Sequence, residues 1–122
     1  MIKFLKRIWQ KWTYSMVGLS TVIKEEKSIW AYLFLFPIII SLGFVLELNF
    51  TQWSITILIL FLMFTVEIIN TALEAAVDTI SFQYNVNVKK IKDIASAATL
   101  VINLGSIVSL LLIFIPIVKE MF

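Results

Sequence analysis

Three apolar runs, each long enough to cross a bilayer, occupy most of a chain of only 122 residues. The first, residues 28–48, reads SIWAYLFLFPIIISLGFVLEL and carries one charge, Glu47, near its far end. That is about the 20 residues a transmembrane helix needs. The second, 53–80, opens WSITILILFLMFTV and runs on through VEIINTALEAAVDTI without a glycine or a proline. The third, 93–118, reads DIASAATLVINLGSIVSLLLIFIPIV, rich in small residues at its start and interrupted near its end by Pro116. With 61% hydrophobic and 15% charged residues, there is too little polar side chain to cover a globule. The chain reads as an all-α membrane protein forming a single unit over 1–122.

Residues 1–27 differ in character. Ile2, Leu5, Trp9, Trp12, Met16, Leu19 and Ile23 alternate in spacing of three and four, which makes one apolar stripe on a helix. Lys3, Lys6, Arg7, Lys11 and Lys24 lie largely off that stripe. Basic residues beside a Trp-bearing apolar face predict an amphipathic helix lying in the membrane interface. Between the spans, NFTQ at 49–52 reads as a short turn and SFQYNVNVKKIK at 81–92 as a polar, basic loop. Pro37 is expected to bend the first span, and Trp30 and Tyr32 suit an interfacial belt. Ala95, Ala97, Ala98 and Gly105 are expected to mark close helix packing, and Asn103 an interhelical hydrogen bond.

Several chemistries are excluded outright. There is no cysteine and no histidine, so thiolate nucleophiles, Cys/His zinc sites and histidine-ligated haem are absent. Three glycines, Gly18, Gly43 and Gly105, cannot write a GxxxxGK[ST] or GxGxxG loop. The ten basic residues cluster beside apolar runs, which suits lipid headgroups or a phosphorylated ligand and not nucleic acid. Six of them (Lys3, Lys6, Arg7, Lys11, Lys24, Lys27) precede the first span, and Lys89, Lys90 and Lys92 separate the second from the third. By the positive-inside rule both clusters face the cytoplasm, where ATP is available.

The second run ends in an unexpected stripe of polar residues. At 100° per residue with Glu67 at zero, Asn70 falls at about 300°, Glu74 at about 340° and Asp78 at about 20°. Fourteen residues, roughly 21 Å of helix, separate Trp53 from Glu67, which places Glu67 inside the inner part of a hydrocarbon core about 30 Å thick. An ionisable residue at that depth is costly and faces a protein interior or water. Glu74 and Asp78 then reach the headgroup level, where a solvated helix end would account for them equally well. Carboxylates to hold Mg²⁺, lysines to neutralise phosphate and a deep carboxylate to take a proton are the ingredients of phosphoryl transfer at a membrane face.

VEIINTALEAAVD ends at Asp78, Lys92 and Asp93 follow, and Ser96-Ala97-Ala98 comes just behind them. This pattern resembles the small integral-membrane prokaryotic diacylglycerol kinases, a family that includes the undecaprenol kinases. YSMVGL at 14–19 and Glu26 extend the likeness upstream. The resemblance implies a homotrimer of protomers with three transmembrane helices and an N-terminal surface helix, with active sites shared between protomers. It also implies roles: Glu67 as general base and Asn70 as a positioning group, with Glu26 and Glu74 on the Mg²⁺ of MgATP. Tyr14, Asp78, Lys92 and Asp93 would lie at the nucleotide, and Arg7, Ser15 and Ser96 on the lipid side. The reaction implied carries the γ-phosphate of ATP to the primary hydroxyl of diacylglycerol, giving phosphatidic acid. The same chemistry on undecaprenol is the alternative. Two departures stand out: Ser28-Ile29-Trp30-Ala31-Tyr32 lacks the charges the family often has there, and Asn85 stands where it often has histidine. Without the resemblance, a small proton-coupled transporter or a regulatory subunit would also use a membrane carboxylate such as Glu67.

Overall fold

The computed structural model describes residues 1–80 and 86–122; the stretch 81–85, with Asn85, lies outside the described residues. Four helices follow in order: α1 (Ile2–Glu25), α2 (Lys27–Val45), α3 (Phe50–Ile80) and α4 (Val86–Met121). The last three are each long and apolar enough to cross a membrane. The expected fold class, three spanning helices behind an amphipathic one, is the fold observed. α1 buries no residue. Its Ile2, Leu5, Trp9, Trp12 and Met16 are all exposed, as an apolar stripe is when lipid and not protein covers it. A single extended residue, Glu26 (φ −103°, ψ 114°), separates α1 from α2.

The α2–α3 turn is built from two interlocking caps. At the end of α2, Glu47 N–H donates to the Phe44 carbonyl at 3.3 Å and Leu48 N–H to the Gly43 carbonyl at 3.2 Å. This is a Schellman motif, and it puts Glu47 in the left-handed region, at φ 55°. At the start of α3, Gln52 N–H donates to Asn49 Oδ1 at 2.8 Å while Asn49 N–H donates to Gln52 Oε1 at 3.0 Å, a reciprocal capping box. Three of the four residues read as a turn, Phe50–Gln52, are therefore the first turn of α3. A polar quartet beginning with Asn and ending with Gln is a helix start as readily as a loop.

α4 also begins earlier than expected: residues 86–92, read as loop, are helical. Their lysines are sound helix formers, and Lys89 pairs with Asp93 one turn on. Pro37 and Pro116 lie inside α2 and α4, which continue past them.

α3 packs most extensively on α4. The core joins Tyr32 of α2 with Ile59 and Met63 of α3, and Phe36, Phe64, Ile102 and Leu110 pack around it. The expected small-residue seam is only partly used. Ala95 is buried, while Ala97, Ala98 and Gly105 are exposed on the single chain, and a Cβ on Gly105 would meet nothing within 4 Å. Tyr32, expected at an interfacial belt, is instead buried among these core side chains; Trp30 stays exposed, its indole N–H on the Ile23 carbonyl at 3.0 Å.

Candidate active site

Because α3 runs unbroken for 31 residues, the stripe from Glu67 to Asp78 is displayed along one rigid rod. Its environment grades along the helix: Glu67 and Asn70 are buried, Glu74 is half-buried and Asp78 is exposed. Glu67 sits one turn beyond Met63, at the edge of the apolar core, with 6% of its surface accessible. A carboxylate so placed needs hydrogen-bond donors, and α2 supplies them. Ser28 Oγ donates to Glu67 Oε1 at 2.7 Å, and the Tyr32 hydroxyl lies 3.4 Å from Oε2. Asn103 of α4 donates from Nδ2 to the Tyr32 hydroxyl oxygen at 3.1 Å, so the interhelical bond expected of it is present.

One turn along, Asn70 Nδ2 donates to Glu74 Oε1 at 3.4 Å, while Asn70 Oδ1 is buried with no hydrogen-bond partner among the described residues. Beyond it, Asp78 Oδ1 lies 2.6 Å from Lys92 Nζ, a salt bridge joining the end of α3 to the first turns of α4. Lys92 precedes the apolar run of α4 and is outside the membrane-crossing stretch. The Asp78 carboxylate holds its ammonium above the usual lysine range.

The remaining sequence-predicted residues are less closely gathered. Asp93 is engaged by Lys89 on its own helix. Tyr14 is exposed on α1, and no hydrogen bond joins it to Lys92 or Asp93 among the described residues. α1 stands off α3 and leaves a groove of about 690 Å³ whose lining includes Ser15, Gly18, Glu25, Glu26, Thr71 and Ala75. Ser15 and Glu26 thus share one groove with the α3 face next to the stripe. Arg7 and Ser96, both exposed, lie outside that groove. Ser28, Tyr32 and Asn103 were not expected around Glu67. Their signal was the i, i+4 spacing of Ser28 and Tyr32, which stacks both hydroxyls on one face of α2.

A magnesium ion bound with ATP takes one or two carboxylates, and the phosphates and waters supply the rest. Among the described residues no three acidic side chains gather as a self-contained metal cage. Glu26 is half-buried in the groove between α1 and α3, and Glu74 is half-buried on the stripe with a single long contact from Asn70; each by itself has the donor chemistry of the first of these patterns.

Comparison of the sequence with known proteins finds relatives over most of its length. A family model described as prokaryotic diacylglycerol kinase matches residues 13–114. A diacylglycerol kinase of Helicobacter pylori is 36% identical over 99 residues, covering 81% of this chain and 77% of its own. An undecaprenol kinase of Bacillus subtilis is 30% identical over 112 residues, 92% of this chain and 91% of its own. A diacylglycerol kinase of Pseudomonas aeruginosa is 31% identical over 97 residues, 80% and 79% of the two chains.

Proposed function

Since the chain belongs to the prokaryotic diacylglycerol kinase family and is a membrane lipid kinase, we propose that it moves the γ-phosphate of ATP onto the primary hydroxyl of diacylglycerol. The observation that carries this reading is the buried, hydrogen-bonded Glu67 at the inner end of a stripe whose outer end is the exposed Asp78–Lys92 pair. A lipid's hydroxyl lies near the interface while its tails stay in hydrocarbon, so its base belongs just below that plane; the nucleotide arrives from water, further out.

In the proposed step Glu67 takes the proton of the lipid hydroxyl as the oxygen attacks the γ-phosphorus. The bond to the bridging oxygen breaks, ADP leaves, and Glu67 afterwards releases the proton. Asn70 orients the reacting groups through the amide that already touches Glu74. Glu26 and Glu74 would hold Mg²⁺, which supplies charge neutralisation on the transferring phosphoryl group. Tyr14, Lys92, Asp93 and Asp78 serve the nucleotide, and Arg7, Ser15 and Ser96 the lipid. Most of the acceleration comes from positioning and preorganised charge.

The whole chain, 1–122, works as one unit in the inner membrane, its N-terminus and the start of α4 cytoplasmic by the distribution of basic residues. The working form is a homotrimer with shared sites; the exposed Ala97, Ala98 and Gly105 of α4 give a second copy a face of small residues to approach. Undecaprenol is the competing substrate, because the match to an undecaprenol kinase covers 92% of this chain. Phosphate transfer from labelled MgATP in mixed micelles, with diacylglycerol and undecaprenol in parallel, decides between them. Label in diacylglycerol, lost in Glu67→Gln, is the expected result. Label in undecaprenol alone would transfer the same chemistry to that lipid, and label in neither would sink the kinase reading.

A further inference from the structure

Glu67 is held by three residues that the reaction itself does not require, and their hydrogen bonds run in one direction. Asn103 Nδ2 donates to the Tyr32 hydroxyl oxygen at 3.1 Å. The same hydroxyl has two acceptors in reach, Glu67 Oε2 at 3.4 Å and Asn103 Oδ1 at 3.5 Å, but only one proton to give. With Asn103 already bound to it as donor at 3.1 Å, and with Glu67 Oε2 the nearer of the two acceptors, that proton goes to Glu67. Oε1 is filled differently, by a short 2.7 Å bond from Ser28 Oγ. The two carboxylate oxygens are therefore unequal: Oε1 is firmly engaged and Oε2 is only loosely held.

We propose that Ser28, Tyr32 and Asn103 form a positioning brace that fixes the rotation of the Glu67 carboxylate and presents Oε2 to the lipid hydroxyl. The brace rests on Glu67 being the base. It ties all three spans together, since Ser28 and Tyr32 lie on α2, Glu67 on α3 and Asn103 on α4. Asn103 acts on Glu67 only through Tyr32, with Ser28 acting independently on the other oxygen. This occupies the segment 28–32 where the chain lacks the charges common in its family, so neutral hydroxyls do the orienting here. A cleft of about 370 Å³ lined by Ser28, Tyr32, Leu35, Met63, Asn103 and Ile107 opens beside the brace.

The test is steady-state kinetics in mixed micelles on whichever lipid the unaltered protein phosphorylates, with melting temperature followed in the same micelles. Tyr32→Phe and Asn103→Leu are each expected to lower kcat about tenfold, the scale of a hydrogen bond to a charged group, with the KM for ATP unchanged. The double variant should be no slower than Tyr32→Phe alone. Ser28→Ala should lose activity that Ser28→Thr, which keeps the hydroxyl, restores. Ser28 lies in the first turn of α2, so this pair carries the test should Tyr32→Phe fold poorly. Unchanged kcat in Tyr32→Phe and Ser28→Ala, with the unaltered protein active, would overturn the brace while leaving the kinase reading intact. Multiplicative losses from Tyr32 and Asn103 would overturn the relay between them. An unaltered protein that phosphorylates neither lipid would remove the base, and the brace with it.

Discussion

A methyl group added at Gly43 tests whether the α2–α3 turn is packed as tightly as described. A Cβ there would lie 2.6 Å from Cη2 and 3.0 Å from Cζ2 of Trp53, and 3.1 Å from Cδ1 of Leu48. Ordinary contact begins at 3.4 Å, so the indole must retreat by about 0.8 Å (3.4 less 2.6). It has little room, because its ring packs against Phe44 with centroids 4.9 Å apart. Overpacking of this kind costs about 1–3 kcal/mol. Against it stands the gain from removing a glycine from a helix, about 1 kcal/mol. Gly43→Ala is therefore expected to destabilise by about 1 kcal/mol, measured by reversible unfolding in mixed micelles. Trp53→Leu removes the obstructing ring, and in that background the sign should invert, Gly43→Ala then stabilising by up to about 1 kcal/mol. The coupling across the cycle should be about 2 kcal/mol. Gly18→Ala, where a Cβ meets nothing within 4 Å, is the control and should only gain. A stabilising Gly43→Ala in the intact chain, or a coupling below about 0.5 kcal/mol, would refute the packing argument.

Glu47 holds a left-handed conformation that costs a non-glycine residue about 1 kcal/mol, so Glu47→Gly should raise the unfolding free energy by up to that amount in the same assay. Asn49→Ala removes one half of the capping box and should cost about 1 kcal/mol, whereas Asn49→Ser should recover most of it. For Lys92, whose ammonium is held above its ordinary value of 10.5 chiefly by its bond to Asp78, the sign follows from linkage. The folded state binds this proton more tightly, so the contribution is present below pH 10.5 and is lost as pH rises through the folded value. Lys92→Arg, charged throughout, should flatten the stability difference between pH 9 and pH 12, and an identical pH dependence in both proteins would count against the pair.

What could be read in advance follows the range of the interactions involved. The three spans and the Glu67–Asp78 stripe are local properties of composition and helical period, and both are present in the fold. Asn103 was legible too, since an amide inside an apolar run needs a partner wherever the helix packs. The brace on Glu67 was not, because it joins residues 35 and 39 positions apart, and their meeting depends on the register of α2 against α3. Tyr32 shows the ambiguity at one position: an aromatic near the end of a span suits the interface or the core, and only the neighbouring helices decide. The basic stretch 86–92 was misread as loop because its charge was weighed above the helix propensity of its lysines.

The double cap between α2 and α3 bears on how the chain enters its membrane. Leu46, Glu47, Leu48, Asn49, Gln52 and Trp53 all have their amide hydrogens bonded within the turn. A bare peptide donor carried into hydrocarbon costs several kcal/mol, and here most of that cost is already removed. The two helices can therefore be delivered to the bilayer as one prefolded hairpin, whose turn bears the single carboxylate of Glu47.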